Sequence, residues 1–141
     1  MSQETVEEVG SRPLPEVGIS IIPYADSLEH NRELVRVADE CGLRLVGIQD
    51  HPYQRRFLDT FALVATLLAE TRSISFFTDV ANLPLRPPAT MAKAAASLDL
   101  LSGGRFKLGL GAGGFFDGIA GWADLAAARG SPWKRSRRRS R

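Results

Sequence analysis

The sequence predicts a parallel α/β fold, on three observations. Four short apolar runs recur along the chain, stretches with helical spacing lie between them, and each run ends in polar or glycine-rich residues. Short runs of continuous apolar character suit strands buried on both faces, and their alternation with helices calls for one parallel sheet with right-handed crossovers. The alternation by itself fits a TIM barrel and an open doubly wound sheet equally.

Residues 17–22 (V-G-I-S-I-I) form the first strand, which Pro23 stops. Asp26 or Ser27 can cap the helix that follows. Glu29 and Glu33 stand in its first turns, Leu34, Val37, Ala38 and Cys41 recur at helical spacing, and Gly42 closes it. Residues 45–48 give a second strand and residues 57–70 a second, largely buried helix. A third strand at 74–77 leads through an extended loop at 83–88 into an Ala-rich helix at 89–101, terminated by Ser102, Gly103 and Gly104. Residues 105–110 complete a fourth strand.

The chain has 141 residues, 44% hydrophobic and 24% charged, the composition of one soluble globular domain. Residues 1–14 are acidic and polar, and read as a disordered leader rather than a signal peptide. With no run of about 18 apolar residues, the expectation is a cytoplasmic protein without a membrane partner. Cys41 is the only cysteine, so no disulfide framework or cysteine-based metal cluster can be built; it is expected as a small buried hydrophobe.

Charge is unevenly placed. The formal net charge is +2, yet Arg129, Lys134, Arg135, Arg137, Arg138, Arg139 and Arg141 hold 7 of the 18 basic residues, leaving eleven basic against 16 acidic residues elsewhere. The body is acidic and the tail strongly basic, so the sign of the total says little about partners.

In parallel α/β proteins chemistry gathers beyond the carboxyl ends of the strands. Here those ends carry Pro23 and Tyr24; Gln49, Asp50 and His51; Thr78, Asp79, Val80, Ala81 and Asn82; and Gly111, Ala112, Gly113 and Gly114. A carboxylate and an imidazole directly after a buried strand are desolvated unless something pairs with them, which marks Asp50 and His51 as cofactor or substrate contacts. The plainer alternative is that Asp50 caps a turn and His51 packs in its loop. The glycines could let backbone approach an anionic group. Their spacing lacks the G-x-G-x-x-G fingerprint, however, and by itself favours an ordinary βα loop. Asp79 and Asn82 are, by spacing alone, turn-formers.

Three segments resemble the luciferase-like flavin-dependent monooxygenases and their deazaflavin (coenzyme F-420) relatives. They are G-I-Q-D-H-P-Y at 47–53, T-D-V-A-N-L-P-L-R-P-P-A at 78–89, and A-S-L-D-L-L-S-G-G-R-F-K-L-G-L-G-A-G at 96–113. The resemblance covers residues 17–120 and decides for the N-terminal half of a TIM (β/α)8 barrel, with about four parallel strands and three helices. It implies an oxidoreductase or monooxygenase whose FMN or coenzyme F-420 ring lies across the carboxyl end of the barrel. By that resemblance Asp50, His51, Thr78, Asp79, Val80, Asn82, Gly111 and Gly113 are the cofactor-binding residues, and His51 is the catalytic one. Asp-His at this position is the commoner form in the deazaflavin branch, Glu-His in the flavin branch. Residues 78–82 match the segment in which relatives often carry a non-prolyl cis peptide. A small organic substrate and a family-like homodimer are the other implied partners, and no metal is implied.

The domain is therefore expected over residues 15–120, followed by a basic tail at 121–141 that the resemblance does not predict. Such a tail can be a solvated arm or a nucleic-acid patch. A third origin is a reading-frame error. Back-translated and read from the third codon base, residues 130–140 of this tail yield, with permitted codons, E-P-V-E-A-L-E-E-A-I, an acidic-capped amphipathic helix of the kind a barrel needs next. The frameshift is the preferred origin, which sets nucleic acid aside as a partner. An enzyme cut at half a barrel is expected to leave open sheet edges and to be unstable or dependent on pairing. The alternative class is a half-barrel assembly module whose basic tail contacts nucleic acid.

Overall fold

The computed structural model describes residues 15–128. The leader expected at 1–14 and the arginine-rich run from residue 129 lie outside the described residues. In chain order the elements are β1 (Gly18–Ile21), α1 (Leu28–Glu40), β2 (Leu45–Ile48), α2 (Thr60–Glu70), β3 (Ser75–Thr78), β4 (Ala81–Asn82), α3 (Pro88–Ser102), β5 (Phe106–Lys107), β6 (Leu110–Gly111) and α4 (Phe116–Ala128).

Strands β1, β2, β3 and β5 form one parallel sheet in that order, and β4 pairs with β6 in a second parallel ladder. Neighbours in sequence are neighbours in space. A barrel is wound that way from one strand to the next, whereas a doubly wound sheet reverses its order at a switch point. Val46, Ile48, Ile74 and Phe76 are wholly buried between the strands and Val35, Val64 and Leu67 of the helices, so the core lies on the helix-covered side of a central β2.

Several boundaries differ from the sequence expectation. Helix α2 begins at Thr60, because the Asp59 carboxylate accepts from the Ala62 N–H at 3.0 Å and makes a better start than Phe57. Residues 57 and 58 instead tie this loop to the exit of β1: Phe57 bridges Tyr24, and the Leu58 N–H donates to the Pro23 carbonyl at 2.8 Å. A 3-10 turn at Ala25–Ser27 precedes α1, and Ser27 makes no side-chain capping bond, while Asp26 pairs with Arg56. A second 3-10 turn, Leu83–Leu85, occupies the expected extended loop. Cys41 is exposed rather than buried: it follows the last residue of α1, and Gly42, at φ 76°, turns the chain away before another helical residue can face the core. Helix α4 is not legible in the sequence, where Gly118 and Gly121 interrupt the apolar spacing.

The fourth strand, expected as one run over 105–110, is two short pieces. Between them, the Thr78 hydroxyl donates to the Gly109 carbonyl at 2.8 Å and accepts from the Gly109 N–H at 3.0 Å, standing in for backbone pairing where β3 stops. The Asp79-Val80 peptide is cis, and the ladder resumes as the Ala81 N–H donates to the Gly109 carbonyl at 2.8 Å.

The S-G-G-R motif has a structural task. Gly103 takes the left-handed conformation that ends α3, at φ 68°. The Arg105 guanidinium then donates to the Leu68, Ile74 and Ser102 carbonyls and to the Thr71 hydroxyl, tying the end of α2 to the start of β3.

Asp39 fixes the same α2–β3 turn from the side of α1. Its carboxylate accepts from the Arg72, Ser73 and Ile74 N–H groups at 2.8, 3.1 and 2.8 Å and from the Ser73 hydroxyl at 2.6 Å. Burial works against the charged form, but the Arg72 N–H, the Ser73 hydroxyl and the other two N–H donors outweigh it and hold the carboxyl at about 2. A folded value below the unfolded one contributes stability above about pH 4 that is lost as the pH falls towards 2. Asp39→Ala is expected to lower the urea unfolding free energy by about 1–2 kcal/mol at pH 7, discounted for partial exposure. Repeated near pH 2.5, the same measurement should show most of that difference gone.

Candidate functional site

The strand ends converge on one cleft of about 330 Å³. Asp50 and His51 enter from β2, Asp79, Val80 and Asn82 from the β3–β4 segment, and Gly111 and Gly113 from the end of β6. Tyr53, Phe115 and Gly114 complete its wall. Of the residues the resemblance names as cofactor-binding, only Thr78 stands off the cleft, fully buried as the strut to Gly109, and the strand-end residues Pro23, Tyr24, Gln49 and Ala112 do not line it.

Asp50 is saturated by partners. Its side chain is 1% exposed, and Arg86 grips it with two bonds, Nε to Oδ2 at 2.8 Å and Nη2 to Oδ1 at 2.6 Å. The Asn82 N–H donates to the same Oδ2 at 2.8 Å. Burial raises the Asp50 pKa, but the bonds from Arg86 and the Asn82 N–H more than reverse this, and the carboxyl lies below its ordinary value. A carboxylate so occupied is a poor proton acceptor. It orients the Asn82 backbone, and it does not cap a turn. Arg86 also bonds Asp59 at 2.8 Å and lies over the Phe61 ring, 4.6 Å from its centroid.

His51 is half-buried, with Nδ1 2.7 Å from the Tyr53 hydroxyl. Burial, and then the Asp50 charge, push the Tyr53 phenol up, so it keeps its proton at neutral pH. A phenol that donates to Nδ1 leaves the imidazole proton on Nε2, free to be offered to a bound molecule.

Asn82 presents a different situation. It is 5% exposed, and its Oδ1 is buried without a hydrogen-bond partner. Beside it Val80 leaves an apolar surface open, 45% exposed.

The glycines answer first to packing. A Cβ on Gly111 would lie 2.4 Å from Cγ2 of Val80, and one on Gly109 2.3 Å from the Thr78 carbonyl oxygen. Gly113 has φ 84°, with Ile119 and Pro84 closing around it. The β3–β4 segment presses against this strand end and requires glycine there whether or not a ligand approaches.

Sequence reasoning missed Arg86, Tyr53 and Phe115. A buried carboxylate demands a cation, and that demand was the one available signal for Arg86; nothing in the spacing says which of several loop arginines answers it. Among the described residues no group of His, Cys, Asp or Glu could hold a metal ion, and no helix is long and apolar enough to cross a membrane.

Comparison with known proteins gives a consistent set of likenesses. The family model for luciferase-like monooxygenases matches residues 8–141. A pyrimidine monooxygenase, RutA, of Bradyrhizobium sp. (strain BTAi1) is 32% identical over 108 residues, which cover 71% of this chain and 28% of that protein. Among solved structures, the coenzyme F-420-dependent tetrahydromethanopterin reductase of Methanopyrus kandleri superposes with a TM-score of 0.63 at 27% identity, over 70% of this chain and 27% of that one. The oxygenating constituent of 3,6-diketocamphane monooxygenase from Pseudomonas putida, in complex with FMN, gives 0.67 at 25% identity, over 74% and 32%. The chain thus spans about a quarter to a third of the length of these relatives.

Proposed function

This chain belongs to the luciferase-like monooxygenase family, and from that premise we propose that its cleft receives the ring of FMN or coenzyme F-420 for the oxidation or reduction of a small organic substrate. The observation that carries the reading is that Asn82, a residue lining the cleft, has a buried Oδ1 without a hydrogen-bond partner. A buried acceptor without a donor costs about 1–3 kcal/mol, which a bound donor recovers. The pyrimidine edge of either ring carries such an N–H.

The other residues fit a flat, largely apolar guest with one polar edge. Val80 offers an apolar face, Asp50 and Arg86 hold the Asn82 backbone in place, and His51 can offer its Nε2–H as a hydrogen-bond donor. When bound, the ring supplies hydride transfer to or from its reactive face. The chain's own contribution is to orient that ring and to place an imidazole beside it.

The test is a titration of the folded chain with FMN and with coenzyme F-420, followed by ligand fluorescence. At least one is expected to bind, and Asn82→Ala is expected to weaken it about tenfold. Because the substitution removes an unsatisfied acceptor, thermal stability should stay within about 1 kcal/mol of the parent. If neither molecule binds the folded chain, or Asn82→Ala binds as well as the parent, the reading is wrong.

A further inference from the structure

Beside the cleft lies a second, larger cavity of about 580 Å³ that the proposed cofactor site does not use. The two share Tyr53 and Phe115. Its apolar side is aromatic: the Tyr53 and Phe115 rings are 5.4 Å apart, and Trp122 joins them from α4. Phe115 is 53% and Trp122 43% exposed, so among the described residues flat apolar surface is left uncovered. The polar side is Gln54 and Arg55. Among the described residues Arg55 has no carboxylate partner, whereas Arg56 beside it is taken up by Asp26.

Two glycines of α4 shape this cavity. A Cβ on Gly118 would sit 2.4 Å from the Phe115 ring and 3.1 Å from that of Tyr53, so glycine there lets the rings lie against the helix. A Cβ on Gly121 would meet nothing within 4 Å, and the cavity extends over that position.

We propose that this cavity binds a planar organic anion, an aromatic or conjugated carboxylate, as the substrate partner of the neighbouring ring. Aromatic walls favour a flat apolar body, and the fork of a guanidinium matches a carboxylate. The inference rests on the cofactor reading for the word substrate and on the cavity's own chemistry for the ligand class.

The test uses the full chain and titration calorimetry with cinnamate, cinnamamide and 3-cyclohexylpropanoate. Cinnamate is expected to bind about tenfold more tightly than its neutral amide and its saturated, non-planar analogue. Arg55→Gln should erase the preference for carboxylate over amide. Gly121→Leu, which fills the cavity while improving helix propensity, should abolish cinnamate binding and leave FMN or F-420 affinity within about twofold. Failure of cinnamate to bind, equal affinity for the amide, or unchanged binding in either variant would overturn the inference. Cinnamate binding without cofactor binding would uphold the anion cavity and overturn the cofactor reading; cofactor binding without cinnamate would do the reverse.

Discussion

Replacing Arg86 with methionine should cost about 3–5 kcal/mol of folding free energy at pH 7, because it strands a buried charge. Asp50 is 1% and Arg86 18% exposed, so the carboxylate lies buried behind the guanidinium that neutralises it. Equilibrium urea unfolding measures the loss. Two further outcomes separate this cause from lost packing. The double variant Arg86→Met, Asp50→Asn should recover most of the stability, since the charge has been removed together with its partner. The pH dependence should also change sign. In the parent, burial raises the Asp50 carboxyl but the bonds from Arg86 and Asn82 prevail, so its folded value is depressed. Its stabilisation is therefore present above about pH 4 and lost as the pH falls through the folded value. Without Arg86, burial dominates and raises the folded value, and stability should increase as the pH is lowered. A loss under about 1 kcal/mol, or an unchanged pH profile, would mean that Asp50 finds another partner.

Gly109→Ala is the second large effect, expected at about 2–4 kcal/mol from steric overlap and two lost hydrogen bonds. The added methyl would meet the Thr78 carbonyl oxygen at 2.3 Å, and backbone cannot swing aside as the end of a side chain can. The Thr78 hydroxyl would lose both its bonds to Gly109, and with them the junction between the two ladders. Gly114→Ala provides the control. A Cβ there meets nothing within 4 Å, and its effect should stay within about 0.5 kcal/mol. If the two variants unfold at the same urea concentration, the junction is soft and the strand end is not shaped by Thr78.

The parallel sheet was legible because buried strands announce themselves as apolar runs and the helices between them have their own period, whereas its sequential winding followed only from the family resemblance. The limits arose where local signals competed. Phe57 and Leu58 look helical, yet Asp59 begins the helix and they pack on the exit of β1. Cys41 continues the spacing of α1, yet the chain turns at Gly42 before that spacing can be used. The broken fourth strand depends on a Thr78 hydroxyl thirty-one residues away, and no local pattern encodes it. The cleft residues were legible through their positions after strands, but the division of labour among them was not. The grip of Arg86 and the Asn82 N–H on Asp50 had no local signal, and Asn82, a turn-former by spacing and a cofactor contact by resemblance, holds the unpartnered acceptor.

The reason for glycine at 109 and 111 also bears on how relatives should be sorted. Because Thr78 and Val80 exclude any larger residue there, a descendant that abandoned redox chemistry would still be selected to keep both glycines as long as it folded. Screening genomes for this strand-end pattern would gather active and retired members together. The residue that should drift first after loss of a cofactor is Asn82, whose side-chain oxygen makes no hydrogen bond within the protein.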